Sequence, residues 1–207
     1  MKLQIAFDLT DLSKALEIAR HVEEHADIFE VGTLLLYKHG IHAVEQFKEK
    51  FPRKPIFADS KIVDRGKEAA TVIACAGADW ISVMAGAANE VIHAACTAAH
   101  QANARVMLDL VDAVSVGQSA LEAKNMGVDA LMFHQAYDEK DALILLDKWE
   151  MVRGNSNLPI FVSAKITRST VTTITAIKPD GIIIGKSIID AEFPAEEAAF
   201  YRSLCAS

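Results

Sequence analysis

A lysine set between two aspartates is the most chemically suggestive spacing in this sequence. Asp59, Lys61 and Asp64 all lie in one short segment, directly after the apolar run Pro55–Ala58, which predicts a strand. Charges crowded at the end of a buried strand shift one another's pKa values, and such shifts are typical of functional sites. The carboxylates could hold a cation, and the ammonium could stabilise negative charge on a bound anion. A charged loop in solvent is the alternative interpretation.

Two further carboxylates belong to the first two predicted strands. Asp8 ends the first strand, and Glu30 lies within the second. Carboxylates buried in apolar strands need a cation or hydrogen-bond donors. Together with Asp59 they form an oxygen-rich set of the kind that binds Mg²⁺, with a substrate completing the coordination shell. An alternative for Asp8 is to cap the helix that begins near Asp11.

Later strands also end in groups that could take part in catalysis or binding. His134 ends the sixth predicted strand, where an imidazole could move protons near neutral pH, although a hydrogen-bonded core histidine is the alternative. Asp109 lies in the fifth strand and Lys165 follows the seventh. After the eighth strand, Gly185 and Lys186 form a turn whose backbone N–H groups could approach a phosphate. This turn is not a P-loop, because no earlier glycine has the required spacing.

Eight short apolar runs carry these residues, at a nearly even interval along the chain. The runs are Leu3–Phe7, Ile28–Val31, Pro55–Ala58, Trp80–Val83, Val106–Leu110, Ala130–Phe133, Pro159–Val162 and Gly181–Ile184. Segments with helical periodicity separate them, and two of these end alike, in Ala76–Asp79 and Met126–Asp129, with a glycine suited to a helix C-cap.

This alternation predicts an α/β fold, a compact (β/α)8 TIM barrel that forms a single domain over residues 1–207. In such a barrel the chemistry lies at the carboxyl ends of the strands, which is where the charged residues fall. An open doubly wound sheet is the alternative, but the first turn lacks the glycines that are typical of that fold.

Composition restricts the class of protein further. The chain has 207 residues, 51% of them hydrophobic, a net charge of −7 and a pI near 5.5, which argues against disorder and against a general nucleic-acid surface. No apolar stretch is long enough to span a bilayer, and a strand begins too close to Met1 to leave room for a signal peptide. Three widely spaced cysteines favour a reducing cytoplasm.

The strand-end residues resemble those of the orotidine-5′-phosphate decarboxylase suprafamily. Within it, the sequence looks most like the family of 3-hexulose-6-phosphate synthase and 3-keto-L-gulonate-6-phosphate decarboxylase. The resemblance covers nearly the whole chain, and the Asp-x-Lys-x-x-Asp motif of the third strand is its most specific part. Supporting similarities are Met1–Leu9, Phe29–Thr33, Ala76–Asp79 and Val106–Leu110.

The resemblance implies a homodimeric carbon–carbon lyase with active sites shared between subunits. It implies that Glu30 and Asp59 hold Mg²⁺, that Asp64 reaches the partner's site, and that the substrate is a phosphorylated sugar. The other implied roles are contact with the reacting end of the substrate for Asp8 and Lys61, and proton transfer for His134. In the synthase, ribulose 5-phosphate forms an enediolate that adds to formaldehyde, which makes the enzyme an aldolase; in the decarboxylase, loss of CO₂ forms the enediolate.

The sequence departs from the family pattern around the expected phosphate site. Ala164-Lys165 replaces a Gly-Gly pair after the seventh strand, Gly185-Lys186 is nearer to the decarboxylase pattern, and Tyr137 after His134 is nearer to the synthase. The candidate substrate- and phosphate-binding residues are therefore Asp109, Tyr137, Lys165, Gly185 and Lys186. We expect synthase activity first, decarboxylase activity second, and a non-catalytic sugar-phosphate-binding barrel third.

Overall fold

The computed structural model describes residues 1–136, 138–139 and 144–205. Over these residues, eight parallel strands close into a barrel in chain order, with helices on its outside, which confirms the predicted (β/α)8 fold. The strands are β1 (Lys2–Phe7), β2 (Ile28–Val31), β3 (Ile56–Ile62), β4 (Trp80–Met84), β5 (Arg105–Asp109), β6 (Ala130–His134), β7 (Ile160–Ser163) and β8 (Gly181–Ile184). The barrel closes where β8 pairs with β1, with Gly181 opposite Lys2.

The α-helices are α1 (Leu12–Val22), α2 (Thr33–His39), α3 (His42–Lys50), α4 (Gly66–Cys75), α5 (Asn89–Gln101), α6 (Val116–Ala123), α7 (Trp149–Arg153), α8 (Val171–Ala176), α9 (Lys186–Ile189) and α10 (Pro194–Cys205), with short 3₁₀ helices at Lys124–Met126 and Ile144–Lys148. Asp11 caps α1 by accepting a hydrogen bond from Lys14 N, so the alternative helix-capping role for Asp8 is not realised. Gly77 and Gly127 have φ of 102° and 92°, the left-handed conformation expected of them. In the described part of the chain, no helix has the length and apolar character needed to cross a bilayer.

The predicted strands match the observed ones or differ by one residue at an end, except at β3. That strand continues beyond Ala58 to Ile62, so Asp59 and Lys61 lie within it rather than after it. The extension is possible because the β3–β4 register shifts between Ala58 and Ile62, after which Ile62 pairs with Val83. Both charged residues are thereby fixed by a strand and not carried on a loop.

The inward face of the barrel changes from apolar to charged toward the carboxyl ends of several strands. Near the amino ends it is filled by a small apolar cluster: Ala6, Ile28, Phe57, Trp80, Met107, Ala130, Met132, Phe161 and Ile183. Because strand side chains alternate with a period of two, the next inward residues toward the carboxyl ends follow directly. Asp59 thus comes after Phe57, and Asp109 after Met107. The outward face packs against the helices in the larger core, for example through Leu3 and Ile5.

At the amino ends of the strands, one contact recurs four times among the described residues. Just before each even-numbered strand, an aspartate accepts a hydrogen bond of 2.7–2.9 Å from a backbone N–H of the preceding odd-numbered strand, and its own N–H donates to the carbonyl of that same residue. Three of these aspartates also pair with a basic side chain of the helix that precedes the odd-numbered strand, and Asp27 pairs with Arg202 of the last helix, α10. The groups, given as aspartate, backbone partner and base, are Asp27 with Leu3 and Arg202, Asp79 with Ile56 and Lys48, Asp129 with Val106 and His100, and Asp180 with Ile160 and Arg153.

These aspartates should stabilise the barrel without affecting its chemistry. We expect Asp79→Ala to lower the free energy of unfolding by about 1–3 kcal/mol, because the buried Ile56 N–H loses its side-chain acceptor. Urea unfolding measures the change. Lys48→Met is the matched control: it removes the ion pair of 2.8 Å but keeps the backbone contact, and should cost less than about 1 kcal/mol. Equal losses in the two variants would contradict the assignment.

Candidate active site

The carboxyl ends of the strands surround a cavity of about 340 Å³. Its lining combines the predicted carboxylates and histidine with the turns after β7 and β8: Asp8, Glu30, Asp59, His134, Lys165, Gly185 and Lys186 are among the lining residues. Seven residues predicted from different parts of the sequence therefore meet around one cavity at the end of the barrel where barrel chemistry occurs.

Lys61 lies between two aspartates. Its Nζ is 3.1 Å from Asp59 Oδ2 and 3.0 Å from Asp109 Oδ2, and its side chain is 26% exposed. Burial lowers the pKa of Lys61, but the charges of Asp59 and Asp109 outweigh burial and raise this pKa above its ordinary value. Lys61 is therefore a fixed ammonium at neutral pH, suited to stabilising an anion and unsuited to acting as a base.

Asp109 is fully buried behind Lys61 and His134. Its carboxylate lies 2.9 and 3.0 Å from His134 Nδ1 and accepts a further bond from Val111 N. Burial would raise the pKa of Asp109, but the hydrogen bond and charge of His134 and the charge of Lys61 lower it overall. With 0% of its side chain exposed, Asp109 does not face the cavity. This corrects the predicted substrate contact: Asp109 orients Lys61 and His134 instead.

The contact with Asp109 also determines which ring nitrogen of His134 carries the hydrogen. An ionised carboxylate can only accept hydrogen bonds, so Nδ1 of His134 must carry the hydrogen. The other ring nitrogen, Nε2, is then the one that can take up or release a proton, and His134 lines the cavity. The alternative of a buried core histidine is therefore not realised.

Two hydroxyl groups fix Asp59. Thr33 Oγ1 donates to Asp59 Oδ2 at 2.6 Å, and Ser82 Oγ donates to Asp59 Oδ1 at 2.9 Å. Because Lys61 also contacts Oδ2, both oxygens of this carboxylate have defined partners and directions. Each oxygen retains a lone pair that can face the cavity.

Asp8, Glu30 and Asp59 crowd one side of the cavity. Gly32 permits the close approach of Asp8, since a Cβ at Gly32 would lie 2.7 Å from the Phe7 carbonyl oxygen and 2.3 Å from Asp8 Oδ1. Burial, and then the charges of Asp59 and Asp8, raise the pKa of Glu30 well above its usual range. Burial and the charge of Asp59 also raise the pKa of Asp8, less strongly because Asp8 is exposed to the cavity whereas Glu30 is 4% exposed.

The crowded carboxylates have the donor chemistry of a Mg²⁺ site. They supply hard oxygen ligands, and burial together with mutual repulsion raises the pKa values of Glu30 and Asp8, so a nearby cation would stabilise their ionised forms. Within the described ranges, no group of three or more His, Cys, Asp or Glu side chains is arranged as a metal cluster. Mg²⁺ is commonly bound through one or two protein carboxylates, with water and substrate completing its shell.

The turns after β7 and β8 form a further part of the cavity lining. Ser187 Oγ donates to the Ile166 carbonyl at 2.6 Å and so joins the two turns. Lys165 Nζ donates to the Glu139 carbonyl at 2.6 Å, which connects the β7 turn to the segment after β6. The β7 turn is thus held by its lysine where the family pattern has two glycines.

Two predicted site residues remain, Asp64 and Tyr137. Asp64 is exposed, does not line the cavity of its own chain, and accepts a hydrogen bond from Arg65 N at 2.7 Å. Tyr137 lies outside the described residues, so its substrate contact stays a prediction.

Comparison with known proteins places this arrangement in a family. The model of the orotidine 5′-phosphate decarboxylase / HUMPS family matches residues 1–201. The chain belongs to this family. A relative named 3-hexulose-6-phosphate synthase, from Staphylococcus haemolyticus, is 31% identical over 200 residues, which cover 96% of this chain and 95% of the relative.

Solved structures of the family share the whole fold. A 3-hexulose-6-phosphate synthase from Salmonella typhimurium has 29% identity and a TM-score of 0.92, covering 100% of this chain and 99% of its own. A 3-keto-L-gulonate-6-phosphate decarboxylase from Vibrio cholerae has 26% identity and a TM-score of 0.85, covering 99% and 97%.

Three polar residues of this family member were not singled out from its sequence. Gln4 donates to Glu30 Oε2 at 2.6 Å, and Thr33 and Ser82 fix Asp59. Gln4 and Ser82 are polar residues at inward positions of otherwise apolar strands, and both are fully buried. That pattern is a usable signal, because a buried polar side chain must have a partner.

The raised pKa of Glu30 predicts that this residue destabilises the metal-free protein. A carboxyl with a raised pKa in the folded state binds a proton that the unfolded chain has released, so its cost grows as pH rises from the ordinary glutamate range through the raised pKa. We expect Glu30→Gln to raise stability at pH 7–8 by on the order of 1 kcal/mol, or about 3 °C in Tm, and to gain little near pH 4. Thermal unfolding in EDTA at several pH values measures this difference in Tm. Glu68→Gln, at an exposed position, is the control. A gain in Tm for Glu30→Gln that does not depend on pH would contradict the raised pKa of Glu30 as its cause.

Proposed function

We propose that the chain is a Mg²⁺-dependent aldolase of the 3-hexulose-6-phosphate synthase type, which joins ribulose 5-phosphate to formaldehyde. The observation that carries the proposal is the Lys61 ammonium held between Asp59 and Asp109 beside a carboxylate-lined cavity. Full-length relatives named 3-hexulose-6-phosphate synthase support this choice among family members. The proposed activity makes the protein a carbon–carbon lyase.

In this reaction the chain's residues would move one proton and stabilise one developing negative charge. A base removes a proton from the carbon beside the carbonyl of ribulose 5-phosphate, giving an enediolate. That carbon then attacks formaldehyde, the new carbon–carbon bond forms, and the former formaldehyde oxygen takes up a proton. His134 is placed to exchange protons through Nε2, and Lys61 supplies positive charge where the enediolate forms.

Glu30 and Asp59 are the residues that we propose to hold Mg²⁺, with Asp8 beside them contacting the substrate. When bound, the ion would supply positive charge at the substrate oxygens. The supporting observations are the hard oxygen donors and the raised pKa values of Glu30 and Asp8. Mg²⁺ should therefore raise the Tm of the wild-type protein, and this rise should be absent in Asp59→Ala, whereas an equal rise in both would contradict the assignment.

The phosphate of the substrate would lie between the turns after β7 and β8. Lys165, Gly185 and Lys186 all line that part of the cavity. The names of both solved relatives contain a phosphorylated sugar, which makes that ligand class the natural one to test. Lys186→Met and Lys165→Met should each weaken competition by inorganic phosphate, and an unchanged inhibition constant in both would contradict this placement.

We also propose a homodimer in which Asp64 serves the site of the neighbouring subunit. Its support is the exposure of Asp64 outside the cavity of its own chain. Lys61→Met and Asp64→Ala proteins, each inactive alone, should regain about a quarter of wild-type activity after unfolding and refolding together, because random pairing in a twofold dimer creates one intact site in each mixed dimer. Activity that stays at the sum of the separate variants would contradict shared sites.

The direct test of the function is formaldehyde consumption. Purified protein with Mg²⁺ and ribulose 5-phosphate should consume formaldehyde, and omission of either compound should abolish the reaction. No consumption by a folded protein would contradict the proposal. A second candidate activity is decarboxylation of 3-keto-L-gulonate 6-phosphate, suggested by the Gly185-Lys186 turn and by the similarity to a decarboxylase of that name, and CO₂ release from that substrate distinguishes it. Binding of ribulose 5-phosphate without either turnover would indicate a non-catalytic barrel.

A further inference from the structure

β3 is irregular at the point where it carries the reactive lysine. From Ala58 to Ile62 the strand advances four residues, while its partner β4 advances only two, from Ile81 to Val83. Within this bulge Lys61 has φ of 47°, in the left-handed region that residues with a side chain rarely adopt. Such a conformation persists only where surrounding contacts hold it, and bulges near active sites serve to redirect a side chain.

Ser82 on β4 supplies the contacts that hold the bulge. Its Oγ accepts a hydrogen bond of 2.9 Å from Lys61 N and donates one of 2.9 Å to Asp59 Oδ1. Its carbonyl accepts a third bond of 2.9 Å from Ser60 Oγ. Ser82 is fully buried, so none of these bonds can be replaced by bulk water without opening the barrel.

One hydroxyl therefore links the backbone of Lys61 to the carboxylate of Asp59. In a regular strand, two residues that share a face lie about 6.5 Å apart along the chain, and both side chains point in parallel. Here the left-handed turn at Lys61 brings its Nζ back to 3.1 Å from Asp59 Oδ2 and 3.0 Å from Asp109 Oδ2. The direction of the ammonium thus depends on the conformation that Ser82 stabilises.

We propose that Ser82 is a positioning residue, which acts through Lys61 and Asp59 to aim the ammonium at the reacting end of the substrate. The catalytic part of this inference rests on the proposed aldol function. Ser82 itself does not line the cavity and makes no contact with substrate in this scheme. Its loss should therefore reduce turnover more than substrate binding.

Three variants test this role. Ser82→Ala removes the hydroxyl, Ser82→Thr keeps it, and Ser60→Ala is the matched control, since it removes a neighbouring hydroxyl of the same bulge and leaves the bonds to Asp59 and Lys61 N in place. For Ser82→Ala we expect kcat to fall about 100-fold with KM for ribulose 5-phosphate within about threefold, the effect of a small misplacement of a catalytic group. Ser82→Thr and Ser60→Ala should each keep at least about a third of wild-type kcat.

A second measurement does not depend on activity. Hydrogen exchange of the Lys61 amide, followed by NMR, should be at least about tenfold faster in Ser82→Ala than in the wild type, because that amide loses its acceptor. If Ser82→Ala does not fold, Ser82→Cys, with its weak thiol donor and acceptor, replaces it with the same expectations. Ser82→Ala with wild-type kcat, or with an unchanged Lys61 amide, would overturn the proposal. If the wild-type protein shows no aldol turnover, the proposed function fails, and amide exchange alone then decides whether Ser82 holds the bulge.

Discussion

Lys61→Met should reduce kcat for formaldehyde consumption by about 10³-fold or more. The ammonium is the cation that the chain itself places beside Asp59 and Asp109, and removing one preorganised charge from a partly buried site costs catalysis more than it would in water. Methionine keeps most of the side-chain volume, so packing is largely retained. Steady-state rates with saturating ribulose 5-phosphate measure the effect.

Lys178→Met is the matched control for this change. Lys178 also has a left-handed backbone, with φ of 53°, but it is exposed and lies before β8, at the opposite end of the barrel from the cavity. Lys178→Met should keep wild-type kcat, which would show that replacing a lysine with a left-handed backbone does not by itself lower activity. If Lys61→Met retained more than about a tenth of wild-type kcat, the role of the ammonium would be wrong.

Asp109→Ala should be the most destabilising single change at the site. It leaves Lys61 and His134 without a shared buried carboxylate, and breaking a buried ion pair by removing one partner costs about 3–5 kcal/mol. Asp109→Asn keeps the shape and tests catalysis: loss of the charge that fixes the His134 tautomer should lower kcat by about 10²–10⁴-fold. Urea unfolding and steady-state kinetics measure the two effects.

The stability loss in Asp109→Asn should depend on pH in a defined direction. The pKa of Asp109 is lowered by folding, so its contribution is present above the ordinary aspartate pKa and is lost as pH falls through the lowered value. The deficit relative to wild type should therefore be largest near pH 7 and shrink below about pH 4. Asp112→Asn, an exposed residue whose carboxylate accepts from Gly86 N, is the control and should show a small deficit. An equally large stability deficit in Asp112→Asn would mean that the effect does not come from the buried carboxylate of Asp109.

Eight short apolar runs at a nearly even interval, separated by segments with helical periodicity, were enough to predict the barrel. They could not predict the length of β3. The continuation of that strand through Lys61 requires a left-handed residue, which local propensity disfavours and which Ser82, on another strand, makes possible.

The sequence likewise indicated which residues approach the cavity, but not how deeply each is buried. Asp59 and Asp109 are equivalent in sequence terms, as the inward acidic residues of two strands. Only the packing of Lys61 and His134 over Asp109 distinguishes the carboxylate that supports from the one that faces the cavity. Gln4 and Ser82 were predictable in principle, since the same alternation places both inward.

The four aspartate contacts at the amino ends of the strands repeat around the barrel, so each pair of neighbouring strands that they join is held in the same way. Arg202 of the last helix pairs with Asp27 beside β1 in the same way that Lys48 of α3 pairs with Asp79 beside β3. The contact between α10 and β1 is thus equivalent to three others around the barrel, and Met1 N lies 3.3 Å from the Cys205 carbonyl beside it. A circularly permuted chain that begins at β3, with a linker between α10 and β1, should therefore keep all four aspartate contacts and leave the carboxyl ends of the strands unchanged.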